Sequence, residues 1–428
     1  MIMYSDTCTQ KEWIITRHLT LIVMISVFLF NIVGSKWTVL AFNFPITYSR
    51  FFTATLYLLL SLFMVAKFVR DISRKRFSKF SLVFYGFIFY CICVVMIRLM
   101  CGEEAKYTVY WTIIMGGSIS IASLIFSCSR KNKISLETTI NDFVNFGIIV
   151  AAFKALYVFY LYKTISYDPI NINKECCIML VLIPCAMMGH MIYGRKKNVI
   201  ATLLFSIIVV FSGSRGALFF YVFEVALMCL LLIKHGYKTH KILLAFVLSV
   251  IVLGGLIVFN VGNIQRFLLR ALMLYDSSST SANIIDQVSK SDAGRIELYE
   301  LGYNEFLKSP LIGTGTVYFN QVIEGLGEFN QSCHNFILET LDCFGLLGLG
   351  LLSLLFAATF KMLPKHNSCT TYLIIISVAF FGYALVQPLL YDPLAFLTYC
   401  IAAMICVIAG NCTNTRKMCF LKNNGENK

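Results

Sequence analysis

Residues 199–233 read "VIATLLFSIIVVFSGSRGALFFYVFEVALMCLLLI", an apolar stretch with one arginine, Arg215, near its middle. As a single α-helix it would be about 50 Å long, against a bilayer hydrocarbon core of about 30 Å. The flanks decide the matter. "GRKKN" at 194–198 precedes the stretch and "KHGYKTHK" at 234–241 follows it. Lys and Arg accumulate on the cytoplasmic side of membrane proteins, so both flanks belong on that side. Two spans are therefore needed, joined by a turn at "SGSRG", 212–216, whose glycines and serines break a helix readily. The first arm is only about 20 Å long, which puts Arg215 just below the outer surface, at head-group depth. A guanidinium costs several kcal/mol there unless it meets a partner. Arginines also snorkel to water alone, but a cation at the outer face runs against the orientation rule.

The whole chain has the same character. Of its 428 residues 58% are hydrophobic and 14% charged, more apolar surface than a soluble domain of this size can hide. The expected fold is all-α: a polytopic transmembrane helical bundle of about twelve spans, with a large periplasmic loop carrying amphipathic helices. The spans are expected at 18–34, 51–69, 80–100, 108–127, 142–162, 176–193, 199–213, 216–233, 242–260, 336–360, 369–388 and 394–411. The first apolar run, from about Leu19, reads as an anchor rather than a cleavable signal. A formal charge of +14 does not indicate nucleic acid here, because membrane proteins collect Lys and Arg for topological reasons. The 16 cysteines sit mostly inside apolar runs, where a thiol behaves as a small hydrophobe. No CxxC pair and no zinc-like Cys/His spacing occurs, so neither a disulfide framework nor a metal site is expected.

The connections alternate in charge. Lys11 and Arg17, "KFVRDISRKRFSK", "SRKNK", "GRKKN", "KHGYKTHK", "KMLPK" and the tail form one set, which holds about two-thirds of the 36 Lys and Arg residues. The other set contains "GEEAK", "KTISYDPININK", the stretch 261–335 and "QPLLYDP". Both termini are thus expected in the cytoplasm and 261–335 outside. The organisation that follows has a bundle of nine spans at 1–260 with the hairpin around 212–216. The large outer loop is 261–335, three further spans occupy 336–411, and the tail is 412–428.

The outer loop ends in two segments with chemical character. In "GRIELYELGYNEFLKSPLIGTG", 294–315, Ile296, Tyr299, Tyr303, Phe306 and Leu307 recur at helical spacing and predict an apolar face lying against the bundle. Asp292 can cap this helix, Pro310 ends it, and Gly313 and Gly315 form a turn. Arg295 falls in the first turn, where a cation opposes the helix dipole and is not chosen for helix stability. The next segment, "HNFILETLDCFGLLG" at 334–348, opens a span. Ser332 can cap a helix beginning near His334, which places His334 and Asn335 where free N–H groups favour anions and a neutral imidazole able to accept a proton. Glu339 and Asp342 follow within the span, as Glu224 does in the hairpin, and intramembrane carboxylates serve as partners for cations or as bases.

The order of these pieces, "SRGA" in a short hairpin, then the long outer loop with its Gly-x-Gly turn, then "HNFILETLDCFGLLG", resembles the O-antigen polymerase and O-antigen ligase superfamily. These are integral membrane glycosyltransferases that use polyprenyl-diphosphate donors. The matching region runs from about 199 to 350. The resemblance implies that Arg215, Arg295 and His334 are the functional positions and that Gly313 and Gly315 form the family's glycine turn, beside Asn335 in the substrate site. It also implies a bacterial inner-membrane location, an undecaprenyl-diphosphate-linked oligosaccharide as substrate, and a chain-length regulator as a partner protein. No cofactor and no metal are expected. Arginine binds phosphate oxygens bidentately and stays charged, so two of them suit a diphosphate. A polymerase is the first reading, a ligase transferring the glycan to lipid A core the second, and a flippase for the same lipid the third. Inverted or parallel repeats expected of a transporter are not seen in the sequence. Reporter fusions or cysteine accessibility should place 70–79, 195–197 and 234–241 inside and 277–292 outside. Opposite sides for 195–197 and 234–241 would remove the hairpin.

Overall fold

The computed structural model describes residues 10–33, 79–101, 106–129, 133–164, 173–211, 215–234, 298–314, 335–363, 368–385 and 393–413, with the isolated positions 55, 58, 59 and 62. Among them are eleven α-helices and no strand. In chain order these are α1 (Gln10–Val33), α2 (Lys79–Met100), α3 (Lys106–Ser129), α4 (Lys133–Thr164), α5 (Asn173–Tyr193), α6 (Lys196–Phe211) and α7 (Arg215–Lys234). Then come α8 (298–308), α9 (Phe336–Lys361), α10 (Ser368–Ala384) and α11 (Pro393–Thr413). The expected spans at 51–69 and 242–260 lie outside the described residues, apart from the isolated positions. Each of the other expected spans coincides in the main with a helix. Four helices, α2, α4, α5 and α9, are long and apolar enough to cross a membrane by length and composition.

Helix α5 is the axis of the bundle. It packs against α4, α6, α7, α10 and α11, and 78% of its apolar window is buried, against 28% for α2. A helix hydrophobic on all sides needs such a position. Cys176, Cys177 and Cys185 of α5 and Cys400 and Cys406 of α11 are buried, filling space as small hydrophobes. Aromatic rings tie the last three helices together. Phe381 of α10 meets Phe356 of α9 edge-on at 4.6 Å, and Phe380 stacks on Tyr399 of α11 at 4.4 Å.

The apolar stretch at 199–233 is two helices. Helix α6 ends at Phe211 and α7 begins at Arg215. The two helices pack against each other, and Tyr221 lies near Ser206, a pair set symmetrically about the break, so α7 folds back along α6. At the far end of α6 from this break, basic residues are held by the first half of α4. Arg17 Nη2 donates to Asp142 Oδ1 at 3.0 Å and its Nε to Oδ2, a bidentate pair. Arg195 Nε donates to Glu137 Oε1 at 3.0 Å, and Lys197 donates to Asn145 Oδ1. Arg17 and the 194–198 segment, which the charge pattern assigns to one side, thus meet at one end of α4.

Helix α9 is broken inside its length. Gly345 has φ 63° and ψ −168°, a backbone open to glycine and strained for other residues. In an unbroken helix the N–H groups of Leu346 and Leu347 would bond the carbonyls of Asp342 and Cys343. Instead Leu346 N–H donates to Pro310 O at 2.8 Å and Leu347 N–H to Leu311 O at 3.1 Å. The Asp342 carbonyl accepts from Thr314 N–H at 2.7 Å and Thr314 Oγ1 at 3.0 Å. The turn after α8 thereby supplies the bonds that the break removes. Gly313, at φ 74°, makes the approach possible: a Cβ on it would lie 2.5 Å from Phe344 N, and one on Gly345 would lie 2.4 Å from the Leu311 carbonyl. Gly313→Ala and Gly345→Ala should each cost at least about 2 kcal/mol, because the strain adds to a backbone collision that no rotamer relieves. Gly350→Ala, where a Cβ meets nothing within 4 Å, should be near neutral. Apparent melting temperature of the purified protein and the yield of monodisperse material would read the difference.

Candidate functional site

The last turn of α10 gathers the segments that border the candidate residues. Phe220 of α7 lies against Gly382, where a Cβ would come within 2.1 Å of the ring. Phe336, the first residue of α9, packs its ring on Phe381 at 6.0 Å. Tyr299 of α8 donates its hydroxyl to the Leu385 carbonyl at 3.3 Å. Three elements far apart in sequence therefore end on one turn.

The candidates lie just beyond these contacts. Arg215 is the first residue of α7, five residues before Phe220 and so about 7.5 Å from it along the axis. Its side chain lies outside the described residues. Arg295 precedes α8 by three residues, so its Cα is within about 11 Å of that of Leu298. His334 precedes Phe336 by two. Arg295, Gly315 and His334 themselves lie outside the described residues, as do Asp292 and Ile296. Gly313 is buried in the joint with α9.

Asn335 has a role that the sequence reading gave to another residue. It is the N-cap of α9, with extended backbone, and its Oδ1 accepts from Ile337 N–H at 3.0 Å and Leu338 N–H at 3.2 Å. The expected cap, Ser332 on a helix starting near His334, is displaced by three residues. Asn is as strong a cap as Ser, and its extended conformation delays the helix to Phe336. His334 consequently stands before the cap rather than in the first turn.

The face that α8 turns inward matches expectation in part. Tyr299 and Phe306 of the expected face are half-buried, and Leu298, Leu301, Gly302, Glu305 and Ser309 are buried or half-buried, whereas Tyr303 and Leu307 are exposed at 52% and 51%. The inner face follows from the Ser309–Thr314 turn, which reaches the α9 break. Tyr303 and Leu307 are left outward with Leu311. Glu305 pairs with Lys308 and also lies close enough to Asp342 for their charges to interact.

Glu224, Glu339 and Asp342 are all buried. The carboxyl oxygens of Glu224 and Asp342 have no hydrogen-bond partner among the described residues. One residue that the sequence reading left without a task has a defined position. Arg98, in the last turn of α2, donates through Nη2 to the Gly313 carbonyl and to Ser309 Oγ, the latter at 3.1 Å. Tyr90, two turns earlier, donates to the Phe344 carbonyl at 2.7 Å. The available signal was an arginine inside an apolar run, which normally has a buried partner, but the partner is a backbone carbonyl more than 200 residues away.

Among curated proteins, none matches the chain at a significant level. A protein-family model described as O-antigen ligase matches residues 200–353, a region that begins at α6, contains α7 and α8, and ends past the break in α9. Over this region, about a third of the chain, the protein is similar to that family, in line with the resemblance to the O-antigen polymerase and ligase superfamily drawn from the motifs.

Proposed function

We propose that the protein is a polysaccharide polymerase acting on O-antigen or a capsular or exopolysaccharide. It joins undecaprenyl-diphosphate-linked oligosaccharide units on the outer face of the bacterial inner membrane, with both of its termini in the cytoplasm. The observation that carries this reading is the convergence of the segments bordering Arg215, Arg295 and His334 on the last turn of α10, inside the family-matched region. A lipid-linked diphosphate presents its two phosphates at the head-group layer, the depth that the charge pattern and arm length imply for Arg215.

In this reading Arg215 and Arg295 grip the diphosphate from two sides. Bidentate guanidinium–phosphate bonds neutralise the charge that builds on the leaving group as the acceptor hydroxyl attacks the anomeric carbon. The sugar–phosphate bond breaks, a new glycosidic bond forms, and undecaprenyl diphosphate departs. His334 takes the acceptor proton, or orients the hydroxyl. Asn335, the next residue in the sequence, caps the start of α9, and Gly313 and Gly315 are the glycine turn that this reading assigns to the substrate-binding loop. The donor is already activated, so neither a nucleotide sugar nor ATP is required. A chain-length regulator is the partner protein that fits such a reaction.

The family description itself favours a second reading, a ligase that moves the same glycan to lipid A core. The "SGSRGA" hairpin and aromatic-rich spans favour the polymerase. Purified protein with lipid-linked repeat units and no other component separates the two: long chains mean polymerase, attachment only to added core means ligase. Absence of any transfer would mean a transporter.

Replacing either arginine with Ala should remove on the order of 3 kcal/mol of transition-state stabilisation, about a hundredfold in rate. Lys keeps the charge but not the planar fork, so Arg215→Lys and Arg295→Lys should be impaired less. The double Ala variant should lose less than the product of the singles, since both groups act on one diphosphate. Arg270→Ala serves as the mild control. Normal polysaccharide synthesis by well-expressed Arg215→Ala and Arg295→Ala would refute the clamp.

Transfer should also survive chelation, because two guanidinium groups supply the positive charge that a metal supplies elsewhere. Loss of activity in EDTA, restored by Mg²⁺ or Mn²⁺, would replace the arginine clamp with a metal-assisted one.

A further inference from the structure

We propose that Arg98 is a positioning residue for this reaction: it locks the 309–314 turn onto the break in α9 and so fixes where α8 delivers Arg295. The inference rests on the reading of Arg295 as a donor ligand. Its structural half, that Arg98 holds the joint, stands on geometry alone.

The joint consists of backbone groups that only each other can satisfy. Leu346 and Leu347 N–H bond Pro310 and Leu311, and Thr314 bonds Asp342. These bonds seat the turn on α9 without using a side chain of α8, and a contact from outside the turn adds to that hold. Arg98 supplies it from a third helix. Its Nη2 holds Ser309 Oγ, at the end of α8, and the Gly313 carbonyl, at the far side of the turn. One rigid planar group thus spans the turn from its first residue to its fifth. Tyr90, on the same helix, fixes the other side of the joint through Phe344.

Helix α8 is consequently tied at both ends, by Tyr299 to Leu385 and by Ser309 to Arg98. Arg295 is four residues before the first tie in the sequence. A shift of about 1 Å in α8 would carry to Arg295, and misplacement on that scale costs about a hundredfold where charge must be met in the transition state. Arg98 Nη2 is taken up by Ser309 and Gly313, and in this proposal the residue acts through the turn rather than on the diphosphate.

The test uses the full-length protein in nanodiscs. Amide hydrogen exchange is read at Thr314, Leu346 and Leu347, and turnover with undecaprenyl-diphosphate-linked repeat units. In Arg98→Ala, exchange at these amides should rise at least about tenfold and turnover should fall about tenfold. Arg98→Lys should recover most of both. In an Arg295→Ala background, Arg98→Ala should cost less than about twofold more, since the residue it positions is gone. Unchanged exchange in Arg98→Ala overturns the proposal, and so does a full multiplicative loss on top of Arg295→Ala. If Arg98→Ala does not fold, Ser309→Ala removes one of the two contacts and should raise Thr314 exchange about threefold; no rise overturns the proposal equally. Wild-type turnover in Arg295→Ala alone would sink the diphosphate clamp and the positioning role with it. The exchange result would still decide by itself whether Arg98 holds the joint.

Discussion

In an apolar bilayer interior, a helix that stops midway leaves N–H and C=O groups that lipid cannot satisfy, at several kcal/mol each. Helix α9 stops in this way at Gly345, and the turn at 309–314 fills the gap with its own backbone. The exchange is mutual, because a turn of irregular backbone buried against a bundle needs partners as much as the helix does. This constraint couples the loop between α7 and α9 to the transmembrane bundle. It requires two glycines at positive φ in direct backbone contact, and it calls in Tyr90 and Arg98 from α2 to fix the joint from a third direction.

Much of the remaining arrangement around the site follows from that attachment. With the turn seated on α9, α8 can present only one face inward, and its first turn reaches the end of α10. The same turn of α10 receives Phe220 from the start of α7 and Phe336 from the start of α9. A reaction that must meet a diphosphate from several sides needs cations carried by separate elements and held in fixed relation. A short helical hairpin, a docked loop helix and a broken span supply such carriers. The deep aromatic cluster of Phe356, Phe380, Phe381 and Tyr399 is the rigid base under them.

Charge is arranged differently at the two ends of the bundle. Arg17, Arg195 and Lys197 are paired with residues of α4, two of them with carboxylates. At the α2–α8–α9 joint the cation binds neutral backbone and a hydroxyl.

What the sequence alone determined is whatever depends on local chain physics. Apolar run length gave the helices, and Lys/Arg bias together with "SGSRG" gave the hairpin whose two arms pack together. Pro310 and Gly313 marked the end of α8. The order of short motifs carried the resemblance to the O-antigen polymerase and ligase superfamily and singled out Arg215, Arg295 and His334 as candidates. The tertiary structure alone decided what depends on partners distant in sequence. Gly345 reads as one more glycine in "CFGLLGLG" until Gly313 is seen against it, and Arg98 is an unexplained arginine until its carbonyl partner is known. The inward face of α8 could be read only in part from apolar spacing: Tyr299 and Phe306 are half-buried, but docking of its turn overrides burial of Tyr303 and Leu307. The cap of α9 falls on Asn335 rather than Ser332, because both residues cap well and only the packed chain shows where the helix begins. Period and composition report what one segment prefers, whereas these features belong to pairs of segments whose backbone groups must satisfy one another.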